Sequence, residues 1–183
     1  MSKSGQTLCP SKKEVDSLLG YLWSDALEKG GVRRWNRWAV VSVAVHTGMR
    51  VSEIARLKID HITFGSPHAC IWIPNRKNGC STTVPLSDFY IEKLRLYLNK
   101  KGISSGHVIQ SERKKPFSRC GLQKLFKRII NERGLCAEYS IHSLRHYFCN
   151  WLFDSTHDIQ HVQSCMGHKT NVTIDYLKRS YRS

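Results

Sequence analysis

Acidic residues are the scarce class in this sequence. Aspartate and glutamate number 14 against 29 lysines and arginines, so the 183-residue chain carries a net charge of +15 with histidine neutral. Such an excess favours a polyanionic partner, nucleic acid before an anionic membrane surface. Long apolar runs are missing as well. The longest, Trp38 to Val45, is interrupted by Ser42 and falls far short of the roughly 20 residues that cross a bilayer. No basic-then-apolar segment opens the chain, so neither a membrane span nor a secretory signal is read from it. No C-x-x-C pair occurs among Cys9, Cys70, Cys80, Cys120, Cys136, Cys149 and Cys165. An odd number of unclustered cysteines fits neither a zinc ribbon nor a disulfide scaffold, and points to thiols in a reducing, cytoplasmic setting. Repeats, low-complexity tracts and long linkers are absent too.

What is present is ordinary globular material, 40% hydrophobic and 23% charged, enough for about one domain. Residues 1–9 read as a flexible leader. Ser11 and Glu14 have capping-box spacing, and Val15, Leu18, Leu19 and Leu22 recur at helical intervals, which predicts a helix to about Glu28. Gly30-Gly31 breaks it, and a second, largely buried helix follows from Val32 to about His46. Thr47-Gly48 ends that one, and a short helix runs from Val51 to about Leu57. The middle reads as β: Ala69 to Ile73, a hairpin turn at Asn78-Gly79, and a return strand from Ser81 to Val84. Further helices are expected from Ser87 to Asn99, Ser118 to Arg133, Ser140 to Phe153, Asp158 to Cys165 and Thr173 to Ser180. The fold class is therefore α+β, mainly helical, with a small antiparallel β-sheet.

Four segments stand apart from this scaffold. The first is His46-Thr47-Gly48-Met49-Arg50-Val51-Ser52-Glu53-Ile54-Ala55-Arg56-Leu57-Lys58. The second is Lys77, just before the hairpin glycine, with Val84-Pro85-Leu86 following. The third is His142-Ser143-Leu144-Arg145-His146. The fourth is Met166-Gly167-His168, with Tyr176 beyond it. In this order and spacing the sequence resembles the catalytic domain of the tyrosine recombinases, the phage-integrase and Xer-type enzymes, over roughly residues 10–180. Their pattern is an arginine in a T-G-x-R-x-x-E segment, a hairpin lysine, an H-x-x-R pair, a G-H pair and a nucleophilic tyrosine. Arg145 and His168 stand 23 positions apart, the family's usual interval. Tyr176 follows His168 by eight, one fewer than usual, with Tyr181 as the fallback.

The resemblance implies a catalytic set of Arg50, Glu53, Lys77, His142, Arg145, His168 and Tyr176. Two permanently charged guanidiniums, Arg50 and Arg145, can each fork two bonds to phosphate oxygens. Tyr176 would supply the nucleophile, Lys77 a proton for the leaving 5′-oxygen, and His142 acid–base exchange with the tyrosine. His168 would hydrogen-bond the phosphate, and Glu53 would orient the site. The implied activity is site-specific recombination or integration through a 3′-phosphotyrosine intermediate, with no metal, no cofactor and no ATP. A type IB topoisomerase shares this chemistry, and an inactive DNA-binding relative is the third reading.

The implied partner is double-stranded DNA, with a homo-oligomer, dimer or tetramer, on it, no membrane, and a cytoplasmic, nucleoid-associated location. Candidate DNA contacts are Arg33, Arg34, Arg37, Arg76, Lys114, Lys115, Arg119, Lys124, Lys127 and Arg128, and most should meet phosphate. The catalytic domain is expected over 10–183, without the N-terminal core-binding domain that family members carry. His157, His161 and Cys165 are spaced i, i+4, i+8 with His168 beyond, a pattern that could ligate zinc. A half-buried histidine and a buried cysteine account for it without metal, and no metal site is assigned.

Overall fold

Helix α1, Lys12–Lys29, starts where its sequence says it should. In this computed structural model, which describes residues 8–65, 68–74 and 81–167 together with Thr173 and Leu177, the Ser11 hydroxyl accepts the Glu14 amide at 3.3 Å. The Glu14 carboxylate accepts the Ser11 amide at 2.8 Å, which completes the capping box. Val15, Leu18, Leu22 and Ala26 bury one face. Glu14 also accepts from the Tyr139 hydroxyl at 3.2 Å, so the same cap ties the start of the chain to its last third.

Helix α2, Val32–Thr47, is the central element and packs against α1 and the later helices α4 (Asp88–Lys101), α5 (Arg119–Glu132) and α6 (Ile141–Thr156). Its run from Trp38 to Val45 is apolar all round because it has neighbours all round. Ser42, the lone polar residue of the run, donates to the Ala39 carbonyl at 3.2 Å and so is tolerated in the interior. Trp35 and Trp38 turn inward despite the arginines beside them. They form an aromatic cluster with Trp23, Tyr90 and Tyr97, and Trp23 and Trp38 lie 4.9 Å apart between ring centres.

The short helix α3, Val51–Arg56, leads through a 3-10 turn into a three-stranded antiparallel sheet. Strands β1 (Ile62–Thr63), β2 (Cys70–Ile73) and β3 (Thr82–Pro85) pair in that order, with Ile71 opposite Val84 and Ile73 opposite Thr82. Ile71, Ile73 and Val84 face the core, whereas Trp72 faces out. The sequence gives no sign of β1, since two residues are too few to show a period of two. The expected turn at Asn78-Gly79 lies outside the described residues.

Helices α4, α5 and α6 are each entered by a serine N-cap, Ser87, Ser118 and Ser140, whose side chain accepts an amide of the first turn. Asp158 does the same for α7, Ile159–Met166. Thr173 and Leu177 are helical and buried. The leader expected over 1–9 lies mostly outside the described residues. Its last residue is not loose: the Cys9 thiol accepts from Asn150 of α6 at 3.6 Å. The six described cysteines are all reduced. Among the described residues no helix is long and apolar enough to cross a membrane.

Candidate active site

The site begins with the end of α2. Thr47 turns its hydroxyl back to the Val43 carbonyl at 2.5 Å and accepts the Met49 amide at 3.2 Å. Gly48 closes the helix in the left-handed conformation, φ 59°. A Cβ there would stand 2.4 Å from the Phe148 ring and 3.1 Å from the Met166 sulfur, so glycine is required both by backbone and by space. The chain then runs extended through Arg50, which is the N-cap of α3.

Glu53, one turn into α3, fixes Arg50 twice. Its carboxylate accepts the Arg50 amide at 2.7 Å and the Arg50 guanidinium at 3.0 Å. Glu53 is 6% exposed while the Arg50 side chain keeps 29% of its surface open. The carboxylate is thus the hidden brace and the guanidinium the presented group. Burial makes this charge-assisted pair firmer than a surface ion pair of the same length.

Arg145 is held differently. It is 1% exposed on α6, and its guanidinium donates to the Gly48 carbonyl and, at 2.8 Å, to the Met166 carbonyl. Those two acceptors lie at the end of α2 and the end of α7, in the first and fourth of the segments that stand out in the sequence. One side chain therefore draws three of those segments to one point. A guanidinium carries five N–H donors in a rigid fork, so it can bind two carbonyls and a phosphate oxygen together.

His142 lies one helical turn before Arg145 and is the exposed member of the group. Its ring meets that of His146 edge-on at 4.8 Å. Atoms packed around the imidazole, then the charges of Arg145 and Arg50, hold its pKa below the ordinary histidine value. Both guanidiniums are therefore within electrostatic reach of one ring. At neutral pH that ring is neutral and able to take a proton.

Arg50 and Glu53 also line a cavity of about 600 Å³ with Ser52, Arg56, His107 and Arg119. Arg119, a candidate DNA contact in the sequence, stands on the rim of this site. Arg56 and His107 have no role in the sequence reading. Arg56 could have been noticed three residues after Glu53. Nothing local marks His107, which arrives by pairing with Lys58 across the chain.

The structure brings Arg50, Glu53, His142 and Arg145 together. Lys77, His168 and Tyr176 lie outside the described residues, as does Arg76. Of the other basic candidates, Arg34 pairs with Asp25 at 3.4 Å, and Arg37 pairs with Glu132. Lys127 donates to the carbonyls of Ala137 and Tyr139 at 2.6 and 2.7 Å, which fastens the loop after α5. These three cations are engaged within the fold. Arg33, Lys124 and Arg128 share a second cavity, and Lys114 and Lys115 are exposed on the loop before α5. The histidine–cysteine stripe is broken: His157 caps α6, and only His161 and Cys165 belong to α7, 3.7 Å apart. No group of three or more metal-ligating side chains occurs among the described residues.

Residues 11–182 match the profile of the phage integrase family. The chain is 28% identical to the tyrosine recombinase XerC of Halalkalibacterium halodurans, with 94% of this chain and 60% of that protein covered. It is 27% identical to the tyrosine recombinase XerA of Pyrococcus furiosus, with 77% of this chain and 52% of that protein covered. The chain thus spans little more than half the length of these relatives. Its fold superposes with a TM-score of 0.79 on the XerH site-specific recombinase in a post-cleavage complex with a palindromic difH substrate. Identity there is 26%, and 97% of this chain and 52% of that chain are covered. The XerA recombinase crystal structure gives 0.78 at 22% identity, covering 97% of this chain and 61% of that one.

Proposed function

The chain belongs to the phage integrase family, and from that premise we propose that it cleaves and rejoins DNA strands at a specific site through a 3′-phosphotyrosine intermediate. The observation that carries this reading is the Arg145 guanidinium on the Gly48 and Met166 carbonyls, beside Arg50 and His142. Charge accumulates on the non-bridging oxygens of a phosphodiester under attack, and preorganised donors stabilise it most where water is excluded. Arg145 is buried and Arg50 is braced, so neither has to reorganise as that charge grows.

In this scheme the phenol oxygen of Tyr176 forms a bond to phosphorus and the bond from phosphorus to the 5′-oxygen breaks. The phenolic proton goes to His142, and the leaving oxygen receives a proton from Lys77. His168 hydrogen-bonds the phosphate. The products are a tyrosyl 3′-phosphodiester and a free 5′-hydroxyl. The reverse attack by a 5′-hydroxyl restores the strand and the phenol, so the bond energy is conserved and neither ATP nor a metal is called for. Double-stranded DNA is the partner, with copies of the chain assembling on it as a dimer or tetramer, at the nucleoid of the cytoplasm.

A pool of nicked duplexes with a randomised core, incubated with the protein in EDTA, tests the scheme. A denaturation-resistant protein–DNA adduct is expected for the wild type and none for Tyr176→Phe. An adduct that persists in Tyr176→Phe moves the nucleophile, with Tyr181 the next to substitute. No adduct from any duplex in the pool contradicts the reading.

A further inference from the structure

The cavity at the other end of α2 has a composition that the strand-cleaving scheme does not use. It measures about 470 Å³ and lies between the start of α2, the loop before α5, and α5 itself. Arg33 comes from α2, Arg113 from the loop, and Lys124 and Arg128 from one face of α5, with Glu112 as the lone carboxylate. Phe117, Leu125 and Val32 supply an apolar floor.

The loop that brings Arg113 there is built, not loose. The Ser111 amide donates to the Lys115 carbonyl at 2.8 Å, and Lys114 takes a left-handed turn at φ 56°. Its base is clamped to α2 and α4: Asn36 and Lys101 donate to the Gln110 carbonyl, at 2.8 and 2.7 Å.

The four cations differ from their neighbours in one respect. Arg34, Arg37 and Lys127 lie on the same two helices and are each paired with a carboxylate or with carbonyls. Arg33, Arg113, Lys124 and Arg128 have no hydrogen bond or ion pair among the described residues. Like charges around one hollow repel each other, and an anion in that hollow would relieve the repulsion. The hollow is separate from the scissile site, although Phe117 lies on the wall between the two.

We propose that this cavity is a second phosphate site, which takes one backbone phosphate of the duplex away from the bond that is cut. Arg33, Lys124 and Arg128 hold it from the two helices and Arg113 from the loop. The inference rests on the DNA reading above. The same chemistry would accept a free phosphate group, and the test separates the two sources.

Binding of a mixed-sequence duplex is measured by fluorescence polarisation from 50 to 200 mM KCl for the wild type, Lys124→Gln, Arg33→Gln/Arg128→Gln, and Lys12→Gln/Lys13→Gln as a charge-matched control on α1. Each phosphate contact contributes about 0.9 to the log–log salt slope. One shared phosphate predicts that the Arg33→Gln/Arg128→Gln slope falls by about 0.9 and affinity at 50 mM by about tenfold, with little change in the control. A fall of about 1.8 would mean two separate phosphates, and an equal fall in the control would mean diffuse charge; either overturns the proposal. A second arm measures the thermal shift with millimolar inorganic phosphate. Stabilisation of the wild type that is lost in the double variant, with the duplex slope unchanged, assigns the site to free phosphate and overturns the duplex assignment. If the wild type binds no duplex, the DNA reading fails. In that case only the phosphate shift supports an anion site here, and its absence ends the idea.

Discussion

The two ends of α2 handle positive charge in opposite ways. At its C-terminal end the two site arginines are tied: Arg145 to two carbonyls, Arg50 to a buried carboxylate. At its N-terminal end, Arg33 and the three cations across from it line a hollow and have no partner among the described residues. The difference matches two tasks. Stabilising charge that develops on a reacting phosphorus demands donors fixed in advance. Holding a phosphate that is already charged needs only converging cations, which can stay solvated until it arrives.

If that contrast is right, damage at the tied end should be costly to the fold and damage at the open end should not. Arg145→Ala removes a buried cation on which three chain segments meet, and is expected to lower stability by about 3–5 kcal/mol in urea melts. Gly48→Ala forces a Cβ into the Phe148 ring at positive φ, for a loss of about 3 kcal/mol by the same measurement.

Acid should reach the same end through His46, which stacks on Tyr90 at 4.1 Å. Burial, then the Lys93 charge, lowers its pKa to about 4. A histidine whose pKa falls on folding leaves stability intact above its ordinary value near 6.5, and that stability drains as pH drops toward 4. Between pH 6.5 and 4.5 the expected loss is about 2–3 kcal/mol, flattened in His46→Phe. His142, also lowered, adds in the same direction.

Glu53→Gln keeps the shape of the brace without its charge. It turns one of the two acceptors into a donor that faces an Arg50 N–H, so it should cost about 1.5–3 kcal/mol of stability while reducing adduct formation at least tenfold, because Arg50 is no longer held on both sides. Lys124→Gln at the open end should leave the melting curve within about 0.5 kcal/mol of wild type. An open-end substitution that unfolds the protein, or an Arg145→Ala that does not, would erase the distinction.

The sequence was most informative where structure is decided locally. The Ser11–Glu14 box and the starts of α4, α5 and α6 at Ser87, Ser118 and Ser140 could be read from the sequence, because cap and first turn are neighbours in the chain. The candidate site was expected from ordered motifs, and its members among the described residues, Arg50, Glu53, His142 and Arg145, lie near one another. How they are held was not legible. That Arg145 binds the carbonyls of Gly48 and Met166 depends on contacts 97 and 21 residues apart. The same holds for His107, placed by pairing with Lys58, and for Lys127, whose ammonium closes a loop ten and twelve residues on. Trp35 and Trp38, set among arginines in the sequence, are core residues because a helix with a 3.6-residue turn sends adjacent side chains to different faces.

The most direct measurement is a crystal structure of the protein soaked with vanadate, an oxyanion that imitates the phosphorus at mid-transfer. The account predicts one anion bound by both Arg50 and Arg145, with Arg145 still on the Gly48 and Met166 carbonyls and His142 beside it. An anion that touches Arg50 while Arg145 serves the two carbonyls alone would make Arg145 a strut of the fold, and would contradict a shared phosphate pocket.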